Sequence, residues 1–242
     1  MGIRFVTAGS HFVSLGSTNT LLNDQEPFTI AFWANRRSAG ASNFGVPICK
    51  DTGAGSGAWR INDNGSSFVF NKDFSTTNLN FQFSGSISNG WNHYCLTWDG
   101  STSGVLLYKN GISETIDIQT NGAGTKESDS RQPMLIGNRQ NAQRTWNATM
   151  TEIAFWGSAV LDIHQIRQLA TSRMHGMPLQ IVPPTGGLRF YIPGDEYSDK
   201  KSYSVASNSI IDRSANKIHG TVGTLGAASI PTSDMATPIS YA

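Results

Sequence analysis

Apolar and polar residues alternate with a period of two along most of this chain. Within FTIAFWANRR (28–37), Phe28, Ile30 and Phe32 alternate with Thr29, Ala31 and Trp33, and SSFVFNK (66–72) and NLNFQFSGSI (78–87) repeat the pattern. Short alternating segments between clusters of Gly, Asn and Ser are typical of antiparallel sandwiches and barrels. The pattern predicts an all-β fold built from two packed antiparallel sheets.

The stretch WNHYCLTWDGSTSGVLLYKNG, residues 91–111, predicts a hairpin with a central strand. Large side chains fall on both faces of its first half, as expected for a strand that is covered on both sides. Asn110 and Gly111 favour a type I′ turn, because both central residues of that turn need positive φ. We interpret this stretch as structural rather than catalytic.

One segment has helical spacing, LDIHQIRQLATSRMHG at residues 161–176. Asp162 is a candidate N-cap with Gln165 three residues later, and Gly176 is a candidate stop. Beyond Gly176 the prolines of MPLQIVPPTGG predict an extended connection. We therefore predict a jelly-roll domain over residues 1–176 and an extension over residues 177–242, whose strands complete the sandwich or contact a neighbouring subunit.

Charge excludes several classes of partner. The chain has 18 Lys and Arg against 17 Asp and Glu, so it lacks the basic footprint of a nucleic-acid or anionic-membrane binder. Charged residues make up 14% of the chain, below the roughly 25% of ordinary soluble domains. No apolar run is long enough to span a membrane, and the first 16 residues lack the pattern of a signal peptide.

The chain has two cysteines, Cys49 and Cys95, both within apolar stretches. Free cysteine packs as a small hydrophobic residue, so this setting favours buried thiols over a disulfide. No Cys-x-x-Cys motif or His/Cys cluster indicates zinc.

Three blocks carry a resemblance to a known family. They are SHFVSLGSTNTLLNDQEPFTIAFWANRRS (10–38), GWNHYCLTWDGSTSGVLLYKNGI (90–112) and, within residues 134–170, MLIGNRQ and WNATMTEIAFWGSAVLDIHQIRQLA. Together they resemble the laminin-G-like, concanavalin-A-like jelly-roll family over about residues 3–175. The resemblance implies a two-sheet antiparallel sandwich with one short helix.

The chain departs from the family pattern in two places. LRFYIPGDE (188–196) and DRSANKIHGTV (212–222) resemble segments that usually open the domain. The resemblance therefore implies a rearranged order, in which the C-terminal segment completes its own sandwich or reaches another subunit. In TMTEIAF the family often has Asp before Glu, but here Thr151 precedes Glu152.

The sequence does not predict an enzyme. Jelly-roll glycanases need two carboxylates close together on one strand, and the glutamates of this chain are scattered. No Gly-x-Ser-x-Gly elbow or P-loop is present.

Calcium is a candidate cofactor. Asp51, Asp63 and Asn64 lie in the neighbouring Gly-rich segments KDTGAGSG and INDNGSS, and they are the candidate ligands because Ca²⁺ needs several converging oxygens. The alternative is that these side chains form local turns by bonding to the backbone.

Glycan binding needs exposed aromatics and hydrogen-bonding side chains. Trp59 in a Gly-rich loop and Trp146 in NRQNAQRTWNAT are the candidate stacking residues, with Asn141 and Arg144 beside the latter. For Trp146 the alternative is that it covers the edge of the sandwich.

Two functions follow as expectations. The first is a non-catalytic external part of a bacteriophage virion, in contact with other virion proteins or copies of itself and with surface glycans. The second is a soluble or surface carbohydrate-binding module of a bacterium, with an extracellular location. The resemblance to stand-alone phage-encoded chains and the low charge of the surface favour the first function, the virion component.

Overall fold

A computed structural model describes residues 2–7, 11–16, 19–51, 53, 58–141, 143–172, 176–194, 203–204, 209–223 and 233–234. The strands, in chain order, are β1 (Gly2–Arg4), β2 (Phe12–Ser14), β3 (Phe28–Ser38), β4 (Gly45–Lys50), β5 (Trp59–Asp63), β6 (Phe68–Lys72), β7 (Leu79–Phe83), β8 (Gly90–Trp98), β9 (Val105–Lys109), β10 (Ile112–Ser113), β11 (Ile116–Thr120), β12 (Met134–Ile136), β13 (Asn147–Gly157), β14 (Gly187–Ile192), β15 (Tyr203–Ser204), β16 (Ser209–Ile210), β17 (Gly220–Gly223) and β18 (Ser233–Asp234). The α-helix α1 spans Ile163–Thr171, and 3₁₀ turns span Thr20–Leu22, Ala41–Asn43 and Met177–Gln180.

The strands form two antiparallel sheets. Sheet A has the order β10-β9-β8-β3-β13-β1-β18, and β14 also pairs with β13. Sheet B has the order β11-β7-β6-β5-β4-β12-β2-β17-β16-β15. This arrangement confirms the predicted jelly-roll sandwich with one helix.

Aromatic side chains from both sheets fill the space between them. The ring of Phe28 in sheet A lies 5.1 Å from the ring of Trp59 in sheet B, and 5.5 Å from both Trp98 and Phe155. Aromatic pairs in tilted and edge-to-face arrangements at these distances stabilise a core beyond the contribution of their buried area.

Strand β8 lies between β3 and β9, as expected for a central strand. Tyr94, Leu96 and Trp98 face the inter-sheet core, while Cys95 faces a second cluster beneath the helix. Asn110 and Gly111 both have positive φ, at 51° and 78°. The stretch from residue 91 to 111 is therefore the predicted structural hairpin, covered on both faces.

Helix α1 covers the outer face of sheet A. The Asp162 carboxylate accepts from the backbone N–H of His164 and Gln165, and the Gln165 side chain accepts from the Asp162 N–H, which completes the predicted capping box. The helix ends at Thr171, earlier than predicted, because Ser172 is already extended. Ile166 and Leu169 pack on sheet A, and no helix among the described residues is long and apolar enough to cross a membrane.

The described C-terminal strands pair within the chain. β14 pairs with β13 from Ile153 to Gly157, and β17 pairs with β2. The core includes Phe190 and Ile192 of β14. Where this segment is described, it therefore extends its own sandwich, while the predicted division after residue 176 stays a prediction.

Both cysteines are buried free thiols. Cys49 lies on β4 of sheet B and Cys95 on β8 of sheet A, so they are on different sheets. Burial raises the pKa of both thiols well above the ordinary value. They act as small apolar groups rather than nucleophiles.

Candidate functional site

Amide side chains lie in rows on the outer face of sheet B. Trp59, Ile61 and Phe70 point into the core, so the residues that alternate with them on β5 and β6 point outward. Cross-strand pairing then aligns the outward side chains in two rows. We call this surface the amide face; its residues are Arg60, Asn62, Val69, Asn71, Asn80 and Gln82.

The two rows have a defined register. Arg60 pairs with Asn71, and Asn71 pairs with Asn80 on the next strand. Neighbouring strands lie about 4.8 Å apart, so this row spans about 10 Å. The rows therefore place several amides within reach of one extended polar ligand.

Two buried polar atoms on the amide face have no partner among the described residues. The Nδ2 of Asn62 donates to Asn71 Oδ1 over 2.9 Å, but the Asn62 Oδ1 is buried and unbonded. The Nε of Arg60 is likewise buried without an acceptor. Buried polar atoms are satisfied in more than nine cases in ten, so we expect an ordered water beside each of these two atoms.

A loop from β12 to β13 folds back beside the amide face. The Asn138 carbonyl lies 3.5 Å from Cys49 Sγ on the outer face of β4, and the Gln140 N–H lies 3.5 Å from the Asp51 carbonyl. A Cβ at Gly53 would lie 2.6 Å from Asn141 Nδ2, so the two loops are in close contact. This packing brings Arg139 and Asn141 to the end of the face that holds Arg60.

Three guanidinium groups meet at this end, and we call them the arginine cluster: Arg60, Arg139 and Arg144. Arg60 Nη1 donates to Asp51 Oδ2 over 3.2 Å. Arg139 Nε donates to Asn141 Oδ1 over 2.9 Å, and the Arg144 guanidinium lies 5.2 Å from the ring centre of Phe44. Partial burial lowers the pKa of Arg139 from its ordinary value, although the group stays charged.

The exposure predicted for the two candidate tryptophans is wrong. Trp59 and Trp146 are 1% and 0% exposed and belong to the core. Trp59 Nε1 donates to Asp129 Oδ2 over 3.0 Å, and Trp146 Nε1 donates to Asp63 Oδ2 over 2.7 Å. Each indole is held inside by packing and by a buried carboxylate, so neither offers a ring face to a sugar.

The three candidate calcium ligands do not converge. Lys50 pairs with Trp59 and Gly45 pairs with Asp63, so Asp51 and Asp63 lie at opposite ends of the β4–β5 pair. Asp63 forms a buried ion pair with Arg36 over 2.6 Å. This register contradicts the prediction of one calcium site shared by the three residues.

The remaining acidic and amide oxygens are also engaged locally. Asp51 accepts from the Gly53 N–H, and Asn64 Oδ1 accepts from the N–H groups of Ser66 and Ser67. These are the turn contacts that the sequence left open as the alternative. Within the described part of the chain, no group of three or more His, Cys, Asp or Glu side chains is placed to hold a metal.

Thr151 and Glu152 lie at a bulge of β13. Glu152 has a positive φ of 51°, and its Oε2 accepts from the Tyr191 hydroxyl over 2.8 Å and from the Gly176 N–H over 3.1 Å. Thr151 donates its hydroxyl to the Pro193 carbonyl. This pair connects β13 to the C-terminal segment instead of facing outward as a ligand set.

Of the predicted glycan residues, the structure brings Asn141 and Arg144 together with Arg60 and Arg139. Sequence reasoning missed Arg60, Asn71, Asn80 and Gln82. The signal was present as polar residues between the apolar positions of three successive strands. Only the strand register shows that they share rows.

A small pocket opens between sheet A and the helix, lined by Ala31, Trp33, His93, Glu152, Leu169, Ser172, Met177 and Pro178. His93 is 2% exposed, and its Nδ1 has no partner. Its ring meets Trp33 edge to face at 5.5 Å. The pocket is apart from the amide face, on the other sheet.

Comparison with known proteins identifies one family and solved structures of the same fold. Residues 7–166 match the Laminin_G_3 family, described as the concanavalin A-like lectin/glucanases superfamily. No curated protein matches the sequence significantly. A protein from Bacteroides ovatus ATCC 8483, proposed to bind carbohydrate, superposes with a TM-score of 0.62 at 18% identity over 94% of this chain and 61% of its own. The chain thus spans less than two thirds of that protein.

A second solved structure shares the fold. The native heptameric SAP-like pentraxin from Limulus polyphemus superposes with a TM-score of 0.50 at 17% identity, over 77% of this chain and 89% of its own. At these identities the likeness shows the fold alone.

Proposed function

We propose that this chain, which belongs to the concanavalin A-like lectin/glucanases superfamily, is a carbohydrate-binding protein without catalytic activity. The observation that carries the proposal is the amide face of sheet B. An amide side chain both donates and accepts hydrogen bonds, as a sugar hydroxyl does. Rows of amides on rigid strands are therefore suited to the hydroxyls of an extended glycan.

The amides are available as well as present. Asn80 and Gln82 are half-buried, and their side chains have no hydrogen-bond partner among the described residues. Half-burial on a strand restricts their rotamers before a ligand arrives, which lowers the entropic cost of binding. The protein from Bacteroides ovatus, proposed to bind carbohydrate, supports the same class of ligand for this fold.

The same face argues against glycan cleavage. A retaining glycosidase needs two carboxyl groups about 5 Å apart, and an inverting one needs them somewhat farther apart. At the outward positions of β5, β6 and β7 this chain has amides, a guanidinium and a valine. We infer that the surface binds and does not hydrolyse.

The test is a glycan array followed by affinity measurement on the glycans that bind. Replacing Asn80→Ala and Gln82→Ala together removes two amides, and each hydrogen bond contributes about 1 kcal/mol. We expect about tenfold or greater loss of affinity. The matched control is Gln168→Ala with Gln180→Ala. Both glutamines are exposed, and they lie in α1 and in the 3₁₀ turn Met177–Gln180, away from the amide face. Unchanged affinity in the first variant, or equal loss in both, contradicts the proposed site.

As the setting in which the protein acts, we propose an external part of a bacteriophage virion; the alternative is a soluble or surface module of a bacterium. The low charged fraction of 14% supports a surface that packs against other protein surfaces. The strand β11 forms one edge of sheet B, and its Ile118 is 49% exposed. An edge strand with exposed apolar groups is suited to pairing with another chain.

Self-association is compatible with this fold. The pentraxin that shares it is described as heptameric. A symmetric oligomer uses one interface repeatedly, as expected of a virion component. The partners proposed are therefore copies of this chain or other virion proteins, in addition to glycans.

A further inference from the structure

We propose that the glycan is acidic, and that Arg139 and Arg144 bind its carboxylate or sulfate groups at the end of the amide face. This inference rests on the proposed carbohydrate-binding function and adds the chemical class of the ligand. The observations that carry it are the positions of the guanidinium groups and the shortage of acceptors around them.

Among the described residues, neither Arg139 nor Arg144 forms a salt bridge, and Asp51 acts on Arg139 only at longer range. The side chain of Arg139 donates from Nε to the neutral amide of Asn141, and its two terminal nitrogens have no acceptor among the described residues. Arg144 lies against the ring of Phe44, and its guanidinium has no hydrogen bond in the described part of the chain. Both side chains are half-buried, so they hold their charge in partly dehydrated positions.

The two carboxylates near the cluster leave this charge uncompensated. Asp51 is paired with Arg60 over 3.2 Å, and it is buried at 4% exposure. Asp73 interacts with Arg60 at longer range and accepts from the Ala58 N–H over 3.0 Å. Residues 52–57, which follow Asp51 in the sequence, carry no charged side chain. Three arginines therefore have two carboxylates near them: Asp51 is bonded to Arg60 and acts on Arg139 at longer range, and Asp73 acts on Arg60.

The neighbours of Arg139 and Arg144 fix them for planar recognition. Asn141 holds Arg139 at Nε and leaves its two outer nitrogens directed away from that contact. The ring of Phe44 lies 5.2 Å from the Arg144 guanidinium carbon, a cation–π contact that restricts this side chain. A guanidinium fork prepared in this way matches a carboxylate or sulfate with two parallel hydrogen bonds.

The cluster is continuous with the amide face through Arg60. Arg60 is bonded to Asp51, which contacts the Arg139 loop, and Arg60 also begins the row that continues to Asn71 and Asn80. One polymer chain can therefore place its hydroxyls on the amides and its charged substituent on the arginines. This division of roles predicts an acidic polysaccharide rather than a free anion.

The experiment measures binding of the full chain to two matched pairs of polymers. They are polygalacturonate with its methyl ester, and dextran sulfate with dextran. We expect the acidic member of at least one pair to bind about tenfold or more tightly than its neutral partner, since charge-assisted hydrogen bonds contribute more than neutral ones. The variant Arg139→Gln/Arg144→Gln should remove that preference while leaving the thermal midpoint unchanged.

The control variant is Arg131→Gln/Arg167→Gln. Both of its arginines are exposed and lie outside the cluster, so it changes net charge equally. Binding of acidic polymers that falls equally in both variants would show unspecific charge attraction and overturn the inference. A chain that binds neutral glycans on the array and prefers no acidic polymer would also overturn it, with the proposed function intact. A chain that binds no glycan at all would contradict the proposed function itself.

Discussion

Buried polar residues in this protein serve particular partners. Asp63 accepts from both Arg36 and Trp146, and it is fully buried between them. Such a contact joins residues 83 positions apart in sequence. From the sequence, Trp146 could be placed near a loop, but the carboxylate that holds it inside could not be identified. For this reason the predicted exposure of the indole was wrong.

The buried His93 makes the stability of the protein depend on pH. Burial without compensating contacts lowers its pKa to about 3, from an ordinary value of 6.5. Between these values the unfolded chain binds a proton at this residue and the folded chain does not. Stability from this group is therefore complete above about pH 6.5, and it falls as the pH decreases toward 3, by up to about 1.4 kcal/mol per pH unit.

We predict that His93→Gln flattens the pH dependence of the unfolding free energy. The difference between pH 6.5 and pH 5 should be about 2 kcal/mol smaller in this variant than in the unmodified chain. Urea denaturation at both pH values measures it. The exposed His164→Gln is the control and should keep the full slope. Identical slopes in all three proteins would mean that His93 titrates normally in the folded state.

At the scale of elements, local pattern was sufficient for much of the chain. The period of two predicted β3, β6 and β7, and the cap at Asp162 predicted the start of α1. The Asn-Gly turn after β9 followed from its need for positive φ. These features depend on neighbours within about four residues, which the sequence shows directly. The early end of α1 depends on the backbone at Ser172, which no pattern indicated.

Asp212 is the main local contact between β14 and the segment that follows it. Its Oδ1 accepts from the N–H groups of Tyr191 and Ser214 over 2.8 and 2.7 Å, and its Oδ2 accepts from the Ile218 N–H over 2.6 Å. The residue is fully buried. One carboxylate therefore satisfies three backbone donors from two separate parts of the chain.

We predict that Asp212→Ala destabilises the protein by about 3 kcal/mol, because each buried donor left unpaired costs about 1 kcal/mol or more. The amide of Tyr191 should also exchange hydrogen faster than the amides of β8. Urea denaturation and hydrogen exchange measure the two effects. Asp212→Asn keeps one carbonyl oxygen and should lose less. Equal stability of all three proteins would show that water replaces the carboxylate without cost.

For the whole molecule, the arrangement of strands decided what the sequence could not show. Asn71 and Asn80 are nine residues apart, yet they are direct cross-strand partners. The Arg139 loop reaches Asp51 across nearly 90 positions. The amide face and the arginine cluster exist only once register and loop packing are set. The family resemblance therefore indicated the fold, whereas the candidate surface required the structure.

The C-terminal segment is the largest feature that one experiment can test. Phe190, Ile192, Ile210 and Ile218 all lie in the core between the sheets. Burial of each contributes about 1.5–3 kcal/mol, so their loss is comparable with the 5–15 kcal/mol stability of a whole domain. We predict that a chain ending at residue 176 does not fold, while a chain ending at residue 223, which keeps all four, does.

Light scattering after size exclusion, with circular dichroism, measures this on the full chain and both truncations. A folded monomer from residues 1–176 would contradict completion of the sandwich in the same chain, and would make residues 177–242 a separate unit. The full chain also tests the virion proposal, because copies that pair through a sheet edge should form an oligomer of defined size. A monomeric full chain would remove the support that self-association gives to a virion role. It would leave carbohydrate binding untouched, since the amide face is built within one chain.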